Sequence, residues 1–317
     1  CSHSWLSCSY MKFTTWVINR CCYIKFIHYF ISFLISKVYN KMCYLVKIYD
    51  IIFLVIVMNE ENLISYYKKF NEDKRLTRRH GIVEFNTAIH YILKYLKELS
   101  DPKVLDVGAG TGRYSGYLFS LGYSVTSVEL VKHNLIMLRK NYPDIPSFLG
   151  NATDLSKFDD ESFDAVILFG PLYHLISDEE KIKVLMEAKR VLRKNGYIFI
   201  SYYMNDYAIF KHGFLDKNII PSFENNLVDN SFRVISKQDD LYSFVRLEDI
   251  DHYKDVCDLK RVKIISQDGL TDYFRRDINS LSEEEFNLYL KYHLSVCERY
   301  EFLGTSSHVL DILKKGE

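Results

Sequence analysis

Residues 104–113 read Val104-Leu105-Asp106-Val107-Gly108-Ala109-Gly110-Thr111-Gly112-Arg113. A short apolar run, read as a strand, ends at Val107. Three glycines then permit a tight turn with close backbone approach, and a helix begins with its first N–H groups available. Nucleotide-like ligands suit that arrangement, and the spacing decides which. The dinucleotide fingerprint G-x-G-x-x-G needs glycine at position 113, where this chain has Arg113. The third glycine comes one residue early, and Asp106 stands two residues before the first. A carboxylate there repels a pyrophosphate and attracts an ammonium.

That balance points to a ligand with a cationic amino group and no phosphate, as in S-adenosylmethionine. Three further features fit. Glu129 ends a second strand, 21 residues after Gly108, where an acid can take both ribose hydroxyls. Asp154, in Gly150-Asn151-Ala152-Thr153-Asp154-Leu155, follows a third short strand and can accept from an adenine amino group. Its bland alternative is a helix cap or a surface acid. Phe169-Gly170-Pro171-Leu172-Tyr173-His174 follows a fourth strand, whose carboxyl end faces the ligand crevice in an open parallel sheet.

Outward from the motif the pattern alternates strand and helix. Strands are expected at Lys103–Val107, Ser124–Val128, Ser147–Leu149, Phe163–Phe169 and Tyr197–Tyr202. Helices are expected at about 82–99, at Tyr114–Leu121 and at His133–Asn141, and from a capping box at Ser177 and Glu180 to about Arg193. Such spacing gives a mostly parallel sheet. Periodicity fades over 203–250, read as an inserted cover with added strands at Phe232–Ser236 and Leu241–Leu247. A strand at Val262–Ser266 follows. Ser282 and Glu285 open a long helix reaching about Tyr300 and ended by Gly304, before a last strand at His308–Leu313.

These motifs resemble a class I S-adenosylmethionine-dependent methyltransferase of the broad bacterial small-molecule group. The resemblance covers about 60–317 and is most specific in Leu105–Gly112, Val128-Glu129, Asn151–Leu155, Ser162–Asp164, Phe169–Leu175 and Leu192–Ser201. It implies an α/β, Rossmann-like, mostly parallel seven-stranded sheet with helices on both faces and an antiparallel last strand. It places Asp106 and the backbone of Gly108, Ala109, Gly110 and Gly112 at the methionine moiety. Glu129 and Leu130 go to the ribose, Ala152, Thr153, Asp154 and Leu155 surround the adenine, and Phe169, Tyr173 and His174 lie near the sulfonium. The helical lead, the insertion and the helix before the last strand depart from the minimal pattern, and these parts choose a substrate.

Methyl transfer needs alignment more than acid–base work. His174 is the candidate base, with a packing or helix-capping histidine as its alternative. Tyr173 is the candidate acceptor-orienting group, and His308 is read as structural. Tyr66 and Tyr67, in a short amphipathic helix over 59–71, are expected to close over the cofactor as part of a helical lid spanning 58–99. The charged run Glu72–His80 is read either as a solvated face or as a recognition element.

Composition narrows the rest. Forty-one basic and 41 acidic side chains give zero formal charge, against a wholesale nucleic-acid surface. After the fourth strand a base-directed enzyme would often carry Asn/Asp-Pro-Pro-aromatic, and this chain has Gly170-Pro171-Leu172-Tyr173. A protein- or nucleic-acid-directed methyltransferase, or a non-catalytic cofactor binder, remain the rival readings to a small-molecule enzyme. Cys257 and Cys297 stand alone, so no metal site is expected. Residues 1–57 hold five of the seven cysteines, both tryptophans and six Lys/Arg against one acid. They read as a membrane-associated helix pair, a packed extension, or a stretch upstream of a true start at Met58; no apolar run there is long enough for a stable span. A cytoplasmic location is expected, and the domain proper is taken as 100–317.

Overall fold

The structure, a computed structural model, describes residues 77–316 apart from Gln238. Tyr66, Tyr67 and most of the expected lid lie outside the described residues. So does the segment 1–57.

The chain enters through helix α1 (Arg79–Leu96) and then alternates. β1 (Lys103–Val107) leads to α2 (Arg113–Ser120), and β2 (Ser124–Glu129) to α3 (Lys132–Asn141). β3 (Ser147–Leu149) and β4 (Phe163–Leu168) follow. Then come a single turn α4 (Pro171–His174), α5 (Asp178–Val191) and β5 (Leu192–Tyr203). The seven strands order as β3-β2-β1-β4-β5-β7-β6, with β6 at Lys260–Ser266 and β7 at His308–Lys314. The pairs from β3 to β5 are parallel, and β7 runs antiparallel to both of its neighbours.

Side-chain period two explains why these runs are almost wholly apolar. Leu105, Val166, Leu168, Ile198, Ile200 and Val309 pack on one face against α5. Their alternates Val104, Ala165, Ile167, Phe199, Leu310 and Ile312 pack on the other face against Ile89, Ile92 and Leu96 of α1. Both faces are therefore covered, as a parallel sheet requires. The Ser177 hydroxyl accepts the Glu180 N–H at 3.2 Å and starts α5. Ser282 and Glu285 form a full capping box at the start of a later helix, α10 (Glu283–Val296).

Several expectations need correction. Past the end of β5, the described residues of the insertion form no strands. The insertion contains α6 (Asn205–Ala208), a π-helical turn (Ile209–Leu215), α7 (Ile219–Glu224) and α8 (Leu247–Val256). Where strands were expected there are only isolated bridges, Val228–Val234 and Met204–Val245. Phe232 has φ of 59°, a left-handed value that a bulky side chain in a strand does not adopt. β5 begins at Leu192, five residues before the expected Tyr197, and Asn195 at φ 63° kinks it where the pairing shifts register. A short α9 (Arg275–Ser280) precedes α10. α10 stops at Val296, well short of Tyr300, and a separate turn of 3-10 helix at Tyr300–Phe302 follows, so Gly304 does not end it. No helix among the described residues is long and apolar enough to cross a membrane.

Candidate active site

Parallel strands deliver their following loops to one edge, and β1 delivers the glycine turn there. The N–H groups of Gly108 and Ala109 both donate to Val128 O, at 2.8 and 3.1 Å. The turn is thereby tied to the end of β2. Gly110 N–H donates to Glu129 Oε2 at 2.8 Å, while Glu129 Oε1 accepts from Val131 N–H at 2.8 Å and Asn134 Nδ2 at 3.4 Å. An ionised carboxylate has about four acceptor positions, so three such bonds orient Glu129 without exhausting it. Burial pushes its carboxyl up, and the Val131 and Gly110 N–H groups pull it back.

Asp106 is buried and accepts from the Ser115 hydroxyl at the start of α2. Burial pushes its carboxyl up to about 6. An uncompensated buried carboxylate of this kind favours an approaching cation.

The turn is closed on one side and open on the other. A Cβ built on Gly108 would meet the Pro171 ring at 2.8 Å, so the loop after β4 presses against it. A Cβ built on Gly110, whose φ is 58°, meets nothing within 4 Å. This open backbone stands beside the Glu129 carboxylate.

The remaining expected contacts divide. Leu130 is half-buried directly after Glu129, and Ala152 and Leu155 are buried. Leu155 N–H is taken by Glu187 at 2.7 Å. Thr153 bonds Asn151 Oδ1 through both its N–H and its hydroxyl, at 3.0 and 3.1 Å. Asp154 is exposed and accepts from Ser156 N–H at 3.0 Å, which holds its carboxyl below the usual range. Its side chain stabilises its own turn. Phe169 stands edge-on to Tyr114, with ring centroids 4.9 Å apart.

Tyr173 and His174 belong to an aromatic cluster at the same edge. His174 stacks on Tyr242 at 5.2 Å, and its Nδ1 lies 2.8 Å from Leu241 O. Tyr173 O accepts from Ser243 N–H at 2.8 Å. The insertion thus clamps the loop after β4. Burial pushes the His174 imidazole down to about 4. It is neutral at neutral pH but a weak proton acceptor.

The sequence reading passed over Glu84 and Asp268 and treated His308 as structural. The structure brings the three together: their ligand atoms lie within 4.8 Å of one another. Asp268 accepts from the Ser306 hydroxyl and the His308 N–H through one oxygen, and its other oxygen lies 2.9 Å from His308 Nδ1, which ties the carboxylate to the imidazole. The available signal was topological. Asp268 comes two residues after β6, and an antiparallel β7 must begin where its parallel neighbours end.

Residues 105–200 match the family described as "Methyltransferase domain". The chain carries a class I S-adenosylmethionine-dependent methyltransferase domain. This methyltransferase domain is 31% identical over 133 residues to the glycine/sarcosine N-methyltransferase of Aphanothece halophytica, covering 40% of this chain and 50% of that one. It is 37% identical over 100 residues to the demethylmenaquinone methyltransferase of Renibacterium salmoninarum, covering 31% of this chain and 40% of that one. The chain thus spans half or less of the length of these two relatives. Among solved structures, the PH0226 protein of Pyrococcus horikoshii OT3 superposes with a TM-score of 0.51 at 16% identity. That match covers 79% of this chain and 98% of the other, and it shows the fold. The cofactor of the family is S-adenosylmethionine.

Proposed function

We propose that this chain transfers the methyl group of S-adenosylmethionine to an oxygen or nitrogen atom of a small molecule. The observation that carries the reading is the open Gly110 backbone flanked by two buried carboxylates, Asp106 and Glu129. Bound S-adenosylmethionine supplies a methyl group on a sulfonium, with a neutral leaving group. Asp106 and the 108–112 backbone hold the amino-acid end, Glu129 the ribose, and Ala152 to Leu155 the adenine side. Tyr173 borders the acceptor, and His174 fixes the wall behind it. Tyr66 and Tyr67 belong to the lid of this reading.

Calorimetry with S-adenosylhomocysteine and with NAD tests it. S-adenosylhomocysteine should bind and NAD should not; tighter NAD binding would sink the assignment. In the same assay Glu129→Ala should weaken S-adenosylhomocysteine by about 1–3 kcal/mol, since the ribose hydroxyls lose a charged acceptor. An unchanged dissociation constant would remove Glu129 from the role.

The pH dependence follows from Asp106. Its carboxyl sits at about 6 in the free protein, above the unfolded value of 3.8. It therefore favours the fold below pH about 4, and that contribution is lost as pH rises through about 6. The ammonium of the ligand binds the ionised form. Affinity for S-adenosylhomocysteine should be level above pH about 7 and fall by up to about tenfold per unit below pH 6. A flat profile between pH 5 and 8 would show that the ammonium does not rely on Asp106.

A further inference from the structure

Arg113 is the first residue of α2 and follows directly on Gly112, the last glycine of the turn. Gly112 N–H donates to Ala109 O at 2.9 Å, so residues 109–112 fold back tightly and start α2 within three residues of the open Gly110 backbone. The Arg113 guanidinium lies over the ring of Phe85 from α1, 4.6 Å from its centroid. That ring is itself fixed: Phe85 is buried, with the Tyr114 ring at 4.9 Å and the Tyr117 ring at 5.6 Å. Tyr114 stands edge-on to Phe169, so the same aromatic wall continues to the loop after β4. Arg113 is therefore held between the glycine turn and α1.

What it lacks is an acceptor. Arg113 is half-buried, and no hydrogen bond or ion pair reaches its guanidinium among the described residues; its Nε is shut off from solvent without a partner. Every other arginine among the described residues either bonds an acceptor or is exposed. A guanidinium stays charged and carries five donors in a planar fork. Stacking on a ring face leaves those in-plane donors to be satisfied elsewhere. A half-buried fork without an acceptor calls for a planar anion, which it can grip through two parallel bonds.

The neighbouring charges say which anion. Asp106 accepts from Ser115, and Glu129 from Gly110, Val131 and Asn134; Arg113 pairs with neither carboxylate. The turn and its flanks thus carry two fixed anions and one fixed cation, each held apart. An amino acid complements that pattern, with its ammonium at Asp106 and its carboxylate at the guanidinium. A ligand with the ammonium alone leaves Arg113 unsatisfied, and a phosphate in the turn meets the like charge of Asp106. We propose that Arg113 anchors the α-carboxylate of the cofactor's amino-acid end, so that the site selects a ligand carrying a complete α-amino acid. The inference rests on the methyl-transfer reading above. Phe85 pre-orients the fork, so little side-chain freedom is lost on binding. With both ends of the amino acid held, the chain between them has few ways to lie, which aligns the sulfonium for in-line transfer.

The probe is decarboxylated S-adenosylhomocysteine, which keeps the ammonium, the thioether and the adenosine and has no carboxylate. Calorimetry on the full unmodified chain at pH 8 should show it at least about tenfold weaker than S-adenosylhomocysteine. Arg113→Met keeps an apolar stem over Phe85. It should weaken S-adenosylhomocysteine by about ten- to a hundredfold and the decarboxylated probe by about twofold or less. Arg113→Lys keeps the charge without the fork and should fall between the two. Equal loss of both ligands in Arg113→Met would assign the residue a structural role and overturn the proposal. Unchanged affinity of Arg113→Met for S-adenosylhomocysteine would overturn it too, as would an unmodified chain that binds both ligands alike. That last comparison needs no variant, so it decides the matter even where Arg113→Met fails to fold. An unmodified chain that binds neither ligand sinks the methyl-transfer reading, and the proposal with it.

Discussion

Gly110→Val should weaken S-adenosylhomocysteine binding by at least about a hundredfold, about 2.7 kcal/mol, while leaving the protein folded. The side chain would project into the open space beside Glu129, where nothing of the protein now lies within 4 Å. The left-handed φ of 58° adds a backbone cost of about 1–2 kcal/mol. That cost needs separating from loss of the cleft, and Gly122 provides the control. It also has a left-handed φ, 91°, and also has open space around its Cβ position, but it follows the far end of α2. Gly122→Val should therefore lose similar stability in urea unfolding and bind S-adenosylhomocysteine normally. Equal loss of binding in both variants would mean that strain in α2 and its flanks, not occupation of the cleft, is responsible.

The second large effect is on stability. Asp311 lies in β7 between β5 and β6, fully buried, and the Arg261 fork holds both its oxygens at 2.7 and 2.9 Å. Asp311→Ala leaves a partly buried guanidinium with only the exposed Asp251 as partner. Removing one member of such a pair costs about 3–5 kcal/mol. Asp251→Ala should cost less than about 1 kcal/mol, because that partner is half-exposed and screened by solvent. The paired replacement Arg261→Met with Asp311→Leu should restore most of the loss. Urea midpoints at constant slope are the readout. A loss under about 1 kcal/mol for Asp311→Ala would show that the sheet does not depend on this pair.

Much of the donor half was legible because its signals are local. Phe163–Leu168 is a continuous apolar run because both faces of the sheet are covered. The capping boxes at Ser177 and Ser282 need only four residues each. Gly108, Gly110 and Glu129 meet because β1 and β2 are neighbours in both sequence and space. The contacts around His308 were not legible in the same way. Asp268 and His308 are 40 residues apart, and their contact depends on β7 inserting between β5 and β6, which no local pattern announces. The apolar alternation at Phe232–Ser236 and Leu241–Leu247 looked strand-like. In place, Val234 bridges only Val228, and Ser243 and Leu241 bond Tyr173 and His174 of the loop after β4 instead of a strand partner. Asp154 illustrates a third limit. A carboxylate in a turn can bond its own backbone as readily as a ligand, and spacing does not distinguish the two.

The family match ends at residue 200, inside β5, and that strand is also the seam between the two halves of the sheet. On its β4 side every pairing is parallel; on its β7 side the direction reverses. The glycine turn and Glu129 are held by β1 and β2, and none of the hydrogen bonds described for them reaches beyond β5. The residues around His308 are set by the late loops and by α1, and α1 also covers Val104, Ala165 and Ile167 on the glycine-turn side. A deletion or graft made beyond residue 200 would therefore remove β6 and β7 while leaving every parallel pairing of the sheet in place.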